Sequence, residues 1–289
     1  MATIKRLIQK EPSVTSQDED VLTDAGDAGA SNSLARTVGL LNLFTPTAPI
    51  WSTEALIQSH GMSRSSGYRY IKALADVGLI AAVANGYYIL GPRIVELDRQ
   101  IRQCDPLYIA GGPVMKELVL ETGHSALLCA LFSGSVLCVR EELVANSPAN
   151  LFTRGQTRPL FQGAASKIIL PYLRPHQQRS LFKKHAPTIA EAGLGTDWAG
   201  FRTNLAKMKS DGYVMTFGEF NPAVIGISAP VFNRDGHILG SIGIAGAEDR
   251  FNRAEKERCV AAIIRAGEQV SERIEMISVG ADRTARAVG

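Results

Sequence analysis

Residues 63–78, SRSSGYRYIKALADVG, carry the signals of one short helix with both of its ends marked. Ser63 is a favourable N-cap residue, because its hydroxyl can accept a hydrogen bond from a free backbone N–H of the first turn. Gly78 is favourable just beyond the last turn, since glycine takes the left-handed conformation that ends a helix. Apolar or small residues recur on one side at helical spacing: Gly67, Tyr70, Ile71 and Leu74.

The opposite side of this helix carries hydroxyls and cations at the spacing i, i+3, i+4 and i+7: Ser65, Tyr68, Arg69 and Lys72. Arg64 lies at the N-terminal edge, and no acidic residue occurs before Asp76. Such a face suits the major groove of DNA, where cations neutralise phosphates and hydroxyls contact phosphates or base edges. Taken alone, the stretch favours an ordinary amphipathic surface helix.

The neighbouring segments change this interpretation. A first helix is predicted after Ser33, with an apolar side toward a core: Leu34, Val38, Leu41 and Phe44. A second begins after Ser52 and ends at Gly61, and two helices joined by a few residues including glycine are typical of a helix-turn-helix. Asn85-Gly86 between two apolar runs predicts a hairpin. Three helices followed by a hairpin predict a winged helix-turn-helix.

The composition excludes several other classes of protein. A net charge of +3 is too small to indicate nucleic acid binding by itself. The four cysteines show no paired spacing and the five histidines form no HExxH, so we expect reduced thiols and neither a metal nor a cofactor. No apolar run is long enough to cross a bilayer, and the N-terminus lacks a signal-peptide core. These features predict a cytoplasmic protein without membrane association.

The length of 289 residues allows two domains. Residues 1–30 are predicted to be a disordered tail, because their second part carries six acids, no Lys or Arg and little apolar surface. Residues 31–92 form the winged helix-turn-helix, and residues 93–105 form a linker helix with an apolar stripe. That stripe fits a dimer contact or packing onto either domain equally well. Residues 106–281 alternate helices with strand pairs, which predicts an α+β domain with an antiparallel sheet.

Individual elements of the C-terminal region are also predicted. One hairpin is predicted around Ser133-Gly134, between the strands SALLCALF and SVLCVREEL. A second is predicted between the strands VIGISAPVF and HILGSIGIAG. ANLFTRG, residues 149–155, is expected to be a short strand. AASKIILPYL, residues 164–173, is expected to be a helix that follows Gly163. A final helix extends to about Met276.

The chain from about Leu34 to about Glu275 resembles the IclR family of bacterial transcriptional regulators. The first matching segment is MSRSSGYRYIKALADVGLI, followed by GYYILGPRIVEL. The second is TRPLFQGAASKIILPYL, in which Ser166 stands where the family usually has glycine. The third, SDGYVMTFGEFNPAVIGISAPVFNRDGHILGSIGIAGAEDRF, is long and specific.

The resemblance implies a winged helix-turn-helix on a linker helix, joined to a GAF-like effector-binding domain. It implies dimers, often paired into tetramers, and control by a small organic acid, often an intermediate of aromatic or carbon-source catabolism. It also implies that the helix after Ser63 contacts a double-stranded DNA operator. The residues expected at DNA are Arg64, Ser65, Ser66, Tyr68, Arg69 and Lys72. Arg69 and Lys72 would hold phosphate, and Gly86 would let the wing approach the adjacent groove.

The same resemblance implies an effector pocket between the strands and the helix start near Gly163. The residues expected there are Arg158, Ala164, Ala165, Glu219, Gly226, Ser228, Gly243 and Ala245. The backbone N–H groups of Ala164 and Ala165 would face the ligand, since unpaired donors at a helix N-terminus attract anions. Arg158 would meet a carboxylate. Each residue also fits a structural role, and three aromatic residues fit either a pocket wall or the core: Phe152, Phe161 and Phe217.

Two other functions remain open from the sequence. A GAF-like fold is compatible with thiol chemistry, but Cys129 and Cys138 lie within apolar strand runs, where buried thiols are usually inert. No G-x-S-x-G elbow, P-loop or Ser-His-Asp constellation is present, so we expect no enzyme. A module that only dimerises, without a ligand response, is the second alternative. The principal expectation is a DNA-binding regulator that responds to an effector.

Overall fold

A computed structural model describes residues 30–84, 86–148 and 151–288 of the chain, with side chains between residues 33 and 278 of those ranges. The predicted tail therefore lies outside the described residues except for Ala30, as does Asn85 of the predicted turn. The chain divides into two compact units, Met1–Gln103 and Cys104–Gly289. The finer domain boundaries stay predictions.

The first unit is a winged helix-turn-helix. Its elements are α1 (Ala30–Gly39), a 3₁₀ turn (Leu40–Leu43), β1 (Trp51–Ser52), α2 (Thr53–Ser59), α3 (Arg64–Asp76), β2 (Ile80–Ala84), β3 (Tyr87–Leu90) and α4 (Arg93–Cys104). The three strands form an antiparallel sheet in the order β1-β3-β2. The buried core lies between the helices and this sheet and consists of Leu40, Leu56, Ile57, Ile71, Leu74 and Ile80.

The helix ends follow the local signals of the sequence. The Ser52 hydroxyl accepts a hydrogen bond from the Ala55 N–H at 3.2 Å, and the Ser63 hydroxyl accepts one from the Ser66 N–H at 3.4 Å. Gly78 has φ of +74°, in the left-handed region that ends α3. The capping predictions for α2 and α3 are confirmed, because each depends on contacts only a few residues apart.

The prediction for the first helix was wrong in its start and in part of its buried face, whereas Leu41 and Phe44 pack against the core as predicted. Ser33 lies inside α1 instead of capping it, and its hydroxyl shares a 2.7 Å hydrogen bond with the Tyr70 hydroxyl. Leu34 is 70% exposed and Val38 is 50% exposed, whereas Leu40 is 1% exposed. The helix tightens into the 3₁₀ turn before Leu40, and this shorter period turns a different side of the segment toward the core.

The close approach of α2 and α3 depends on a glycine. A Cβ atom at Gly67 would lie 2.3 Å from Ile57 Cγ1 and 2.9 Å from Ile57 Cδ1. Any side chain at this position would push the two helices apart. The short distance between α2 and α3 therefore depends on the absence of a side chain at Gly67.

The second unit is a six-stranded antiparallel sheet between two layers of helices. Its elements are α5 (Pro106–Thr122), β4 (Ser125–Phe132), β5 (Ser135–Glu142), β6 (Thr157–Pro159), α6 (Ala164–Lys167), a 3₁₀ turn (Leu170–Tyr172), α7 (Pro175–Glu191), α8 (Trp198–Asp211), β7 (Val214–Phe217), β8 (Val224–Phe232), β9 (Ile238–Ala247), a 3₁₀ turn (Glu248–Arg250) and α9 (Arg253–Val288). The strand order is β6-β5-β4-β9-β8-β7. This architecture confirms the predicted α+β class.

Successive residues of the central strands point to opposite faces of the sheet and pack into two separate cores. Leu128 of β4 and Ile227 of β8 belong to the core beneath α5 and α9. Leu127 of β4 belongs to the other core, beneath α6, α7 and α8. The small residues Gly226 and Ser228 stand on the α6 side of the sheet, where they line a cavity.

Two predicted elements of this unit were wrong. The strand predicted over residues 149–155 is absent from 151–155, and residues 149–150 lie outside the described residues. The short strand of this region is instead β6, which begins two residues later. The predicted helix over 164–173 is the four-residue α6 followed by a 3₁₀ turn. Pro171 has no N–H to continue an α-helical ladder, which explains the early end. Among the described helices, none is both long enough and apolar enough to cross a membrane.

Candidate functional site

The outward face of α3 presents most of the residues predicted to contact DNA. Five of the six are exposed: Arg64, Ser65, Tyr68, Arg69 and Lys72. The opposite face of the same helix is buried through Gly67, Ile71 and Leu74. Packing therefore leaves one continuous face of α3 free for a ligand, with hydroxyl and cationic groups along it.

Ser66 differs from the other five residues because it is half-buried. Its hydroxyl accepts a hydrogen bond from the Ser63 hydroxyl at 3.1 Å, and the Ser63 oxygen lies 3.3 Å from the Ser65 oxygen. The three serines form one cluster around the first turn of α3. Ser66 therefore contributes to the helix cap in this structure, while Ser65 remains exposed.

The cations of α3 are not held in strong ion pairs. Lys72 Nζ lies 3.1 Å from an oxygen of Asp76, one helical turn away, and both side chains are mostly exposed. The guanidinium carbon of Arg69 lies 5.3 Å from the centre of the Tyr70 ring. Exposed pairs of this kind contribute about 1 kcal/mol or less, so phosphate oxygens can replace the Asp76 carboxylate at little cost.

The turn of the β2–β3 wing is fixed against the start of α2. The Gly86 carbonyl accepts hydrogen bonds from the Thr53 N–H at 2.9 Å and from the Thr53 hydroxyl at 3.0 Å. Gly86 is exposed and has φ of +76°. These two hydrogen bonds hold the wing in a set position relative to α2 and, through Gly67, to α3.

All eight residues predicted at the effector pocket line one cavity of the second unit: Arg158, Ala164, Ala165, Glu219, Gly226, Ser228, Gly243 and Ala245. The sheet forms its floor, α6 forms its roof, and the segment between β7 and β8 closes one side. The cavity is small, with a volume of about 60 Å³. A cavity of this size has room only for a small molecule.

Small residues on adjacent strands create this space. Gly243 of β9 is paired with Ser228 on one side and Leu127 on the other, and Gly226 is paired with Ala245. A Cβ atom at Gly243 would lie 2.3 Å from the Ser228 oxygen. A side chain at Gly243 would therefore displace the Ser228 hydroxyl and change the floor of the cavity.

Arg158 brings a positive charge to the cavity. Its guanidinium carbon lies 3.9 Å from the centre of the Phe220 ring and 4.3 Å from that of the Phe152 ring. Within the described part of the chain, the guanidinium makes no hydrogen bond and no carboxylate lies within 4 Å of it. Burial lowers the pKa of Arg158, although guanidinium remains charged in proteins. An anion beside this half-buried cation would supply the charge partner that the described residues do not.

Glu219 and the start of α6 are arranged differently from the prediction. The Glu219 carboxylate accepts hydrogen bonds from the Gly163 N–H at 2.7 Å and from Lys167 Nζ at 2.6 Å. The Ala164 N–H donates to the Thr216 hydroxyl at 3.2 Å. Two of the donors at this helix start are thus already satisfied by the protein. Glu219 lines the cavity, but both of its carboxylate oxygens have protein partners.

The aromatic residues divide between the cavity and its surroundings. Phe152 lines the cavity, whereas Phe161 is buried outside it and Phe217 is 52% exposed. Phe220, which the sequence interpretation missed, is the aromatic side chain closest to Arg158. No pattern in the sequence marks it, because its position depends on the turn between β7 and β8. Gly163 lines the cavity at the predicted helix start, and the lining residues that were not predicted are Leu127, Leu151, Gln162, Ser166, Thr216, Asn221, Val224 and Ile244.

The thiols of the second unit are poorly suited to chemistry. Cys129 and Cys138 face each other on β4 and β5 and are fully buried. A hydrogen bond with Cys138, together with burial, raises the pKa of the Cys129 thiol well above its ordinary value. A thiol that stays protonated is a weak nucleophile.

A second group of titratable residues lies at the first turns of α9 and includes His124 from outside that helix. His124, Glu255 and Cys259 bring three potential metal ligands within 4.8 Å of one another. Arg258 already pairs with Glu255 at 2.7 Å, and burial raises the pKa of Cys259 to about 12. A metal ion would have to displace the guanidinium and deprotonate this thiol, so the group is better described as a buried hydrogen-bonded cluster.

Comparison with known proteins identifies the family. The sequence profile described as bacterial transcriptional regulator IclR C-terminal matches residues 103–272, more than half of the chain. The HTH-type transcriptional regulator KipR of Bacillus subtilis (strain 168) is 26% identical over 246 residues, which cover 84% of this chain and 97% of KipR. The HTH-type transcriptional regulator KdgR of Escherichia coli (strain K12) is 23% identical over 244 residues, which cover 83% of this chain and 91% of KdgR.

Solved structures share the fold over most of the chain. An IclR transcriptional regulator from Alicyclobacillus acidocaldarius has a TM-score of 0.71 at 18% identity and covers 84% of this chain and 98% of its own. An IclR homologue from Microbacterium hydrocarbonoxydans, complexed with 4-hydroxybenzoate, has a TM-score of 0.67 at 19% identity, with coverage of 84% and 98%. With its winged helix-turn-helix and the matching C-terminal domain, the chain belongs to the IclR family of bacterial transcriptional regulators.

Proposed function

We propose that this IclR-type regulator binds a double-stranded DNA operator through the exposed face of α3 and that a small organic acid in the cavity of the second unit controls this binding. The observation that carries the proposal is the Arg158 guanidinium, which lines the cavity between two aromatic rings and lacks an acceptor among the described residues. A half-buried cation without an anionic partner loses part of its hydration without compensation, and a ligand carboxylate would supply a partner.

The class of acid follows from the surroundings of Arg158. Phe152, Phe220 and Leu127 give the cavity apolar and aromatic walls, while Ser228 adds a hydroxyl near the floor. The Microbacterium hydrocarbonoxydans homologue binds 4-hydroxybenzoate, an acid of the kind that such walls suit. We therefore propose a small organic acid, with aromatic acids as the first candidates.

For DNA, the proposal assigns phosphate contacts to Arg69 and Lys72. It assigns the contacts nearest the base edges to Arg64 and Ser65 at the N-terminus of α3. Support comes from the exposure of all four residues on one face of a helix whose other face is buried. A helix-turn-helix presents the N-terminal residues of its second helix to the major groove.

We further propose that two copies of the chain form a homodimer and that such dimers can pair. α4 has no buried residue, yet it carries apolar side chains of which Val95 is 71% and Ile101 51% exposed. A second copy would cover these side chains and set the spacing of two recognition helices on a pseudo-palindromic operator. The acid would shift the equilibrium between two such spacings by its differential affinity for them.

The regulator is proposed to act without catalysis and in the cytoplasm, where a chromosomal operator would be found. The raised pKa of Cys129 argues against a thiol enzyme. A module that only dimerises would have no use for an unpaired cation inside a cavity. We therefore favour an effector-responsive regulator over both the thiol enzyme and the module that only dimerises.

A thermal-shift screen of the purified full chain tests the acid response. The panel contains millimolar aromatic and aliphatic acids, each beside a neutral analogue such as benzamide for benzoate. A ligand at about 100 times its Kd stabilises the folded state by about 2.7 kcal/mol. We expect one class of acids to raise the melting temperature and its neutral analogues to leave it unchanged. Equal shifts by acids and neutral analogues would contradict the role of the Arg158 charge.

A further inference from the structure

The roof of the cavity contains a hydroxyl that the protein does not satisfy. Ser166 of α6 is 1% exposed and lines the cavity. Its Oγ atom is fully buried and has no hydrogen-bond partner among the described residues. A buried hydroxyl without a partner costs about 1–3 kcal/mol, so its presence at the roof of a binding cavity requires an explanation.

The neighbouring polar groups of the roof do have partners. The Ala165 carbonyl, next in the chain, accepts a hydrogen bond from the Ser241 hydroxyl at 2.8 Å. The Ala164 N–H donates to Thr216, and Lys167 Nζ donates to the Glu219 carboxylate and to the Ala192 carbonyl. The unsatisfied hydroxyl of Ser166 is therefore an exception within an otherwise well-bonded segment.

The same cavity holds a separate unpaired group, the Arg158 guanidinium, which approaches from β6 and not from α6. A plain carboxylate that binds Arg158 would leave the Ser166 hydroxyl unsatisfied. A ligand with a second polar oxygen could satisfy both groups at once. The Ser166 hydroxyl and the Arg158 guanidinium lie on different walls, and both lack a hydrogen-bond partner among the described residues. A small ligand that satisfies both would need a polar group at each of two ends.

We propose that Ser166 is a specificity-determining residue, whose hydroxyl selects an effector with a hydroxyl or oxo oxygen in addition to the carboxylate. This inference rests on the proposed function, since it takes the cavity to be the effector site. A site that offers a hydrogen bond to a ligand oxygen discriminates against the analogue that lacks this oxygen, because its own polar group is then left unpaired.

The experiment measures the Kd of matched acids by calorimetry on the full-length protein and on three variants. The acids are benzoate with 3- and 4-hydroxybenzoate, and propionate with lactate and pyruvate. Ser166→Ala removes the hydroxyl, and Ser166→Gly provides a second test if the first variant folds poorly. Ser271→Ala is the matched control, because Ser271 is a half-buried serine of α9 bonded to Phe232 and Gly267, away from the cavity.

In the native protein we expect an oxygenated acid of one series to bind about tenfold more tightly than its parent acid, as a single hydrogen bond allows. Ser166→Ala and Ser166→Gly should abolish this preference and leave the Kd of the parent acid similar or lower. Ser271→Ala should retain the preference.

Two results would overturn the inference, and they differ in what else they overturn. A preference that persists in both Ser166 variants, or no preference in the native protein, would exclude Ser166 as the selecting group while leaving acid binding intact. Failure of every acid to bind the native protein would overturn the proposed acid response together with the inference.

Discussion

The guanidinium carbon of Arg158 lies over the Phe220 ring at the wall of the cavity, 3.9 Å from the centre of the ring. Phe152 approaches the same guanidinium at 4.3 Å. Such contacts fix the planar group and stabilise its charge, but they leave its N–H donors available in the plane. Planar donors of this kind match the two oxygens of a carboxylate.

Replacement of Arg158 should remove most of the acid affinity. Hydrogen bonds to charged groups contribute about 1.5–3 kcal/mol, so Arg158→Ala is expected to weaken acid binding by about 10- to 150-fold. Arg158→Lys should recover only part of the loss, because an ammonium cannot bind both carboxylate oxygens in the same plane. Calorimetric titration measures the effect.

The control is Arg179→Ala, which removes a cation that lies over Trp198 at 5.5 Å and does not line the cavity. It should bind acids as the native protein does. Unchanged affinity in Arg158→Ala would show that the carboxylate binds elsewhere.

The ion pair between Lys167 and Glu219 should stabilise the roof of the cavity. Lys167 Nζ is 2.6 Å from Glu219 Oε1, and the Lys167 side chain is 8% exposed. Glu219→Gln leaves this ammonium without its carboxylate, so we expect a loss of about 1–3 kcal/mol in the free energy of unfolding. Urea denaturation provides the measurement.

A matched comparison is the exposed pair Lys207–Asp211, at 2.7 Å. Asp211→Asn should cost less than about 1 kcal/mol, because solvent screens exposed pairs. Equal losses in the two variants would mean that the buried position of Lys167 adds nothing.

Gly67 should be intolerant of even a methyl group. Its Cβ position lies 2.3 Å from Ile57, so Gly67→Ala forces α2 and α3 apart and is expected to cost about 1–3 kcal/mol. DNA binding should weaken with it, since the wing and α3 are positioned through α2. Ala73→Gly, at an exposed position of α3, should cost about 1 kcal/mol through helix propensity alone. A stability gain in Gly67→Ala would contradict the close approach.

Arg69→Ala should weaken DNA binding on every sequence and reduce its salt dependence. Loss of one phosphate contact lowers the slope of log K against log salt by about one. Fluorescence anisotropy with labelled duplexes at several salt concentrations gives this slope. Lys183→Ala, an exposed cation of α7, should leave the slope as it is. A native slope in Arg69→Ala would remove Arg69 from the DNA interface.

His124 should make the stability of the second unit depend on pH. Burial lowers its pKa, Arg250 acts in the same direction, and Glu255 opposes both. The folded state therefore binds the proton less readily than the unfolded state, whose ordinary value is 6.5. This contribution to stability is present above pH 6.5 and is lost as the pH falls toward the lowered pKa.

Melting temperatures between pH 7.5 and 5 test this dependence. The native protein should lose stability as the pH falls, and His124→Gln should show a shallower decline. His176→Gln, at an exposed position of α7, should follow the native curve. Parallel curves for the native protein and His124→Gln would assign the acid sensitivity to other groups.

The sequence predicted the winged helix-turn-helix well because its signals are local. The Ser52 and Ser63 caps and the glycine after α3 each act within a few residues. The first helix was predicted less well. Its buried side depends on where α1 tightens into a 3₁₀ turn, which is set by packing of Leu40 against other helices and not by its own spacing.

Many of the residues that line the cavity could be predicted, but the hydrogen bonds and side-chain contacts among them could not. The small residues of β8 and β9 recur at strand spacing, and their positions followed from the resemblance to the family. The hydrogen bond from Gly163 to Glu219 joins residues 56 positions apart, and the contact of Phe220 with Arg158 is also a tertiary contact. Such contacts leave no periodic trace in a sequence. The unsatisfied hydroxyl of Ser166 is visible only once all neighbouring partners are known.

The most direct test of the account is the affinity of the full-length protein for DNA with and without a bound acid. Duplexes selected from a random pool by the native protein supply the DNA, and the acid is the one found by thermal shift. A coupled regulator should change its DNA affinity by about 5- to 150-fold at saturating acid, and Arg158→Ala should abolish the change. Identical DNA affinity with and without saturating acid would contradict the claim that the cavity controls DNA binding.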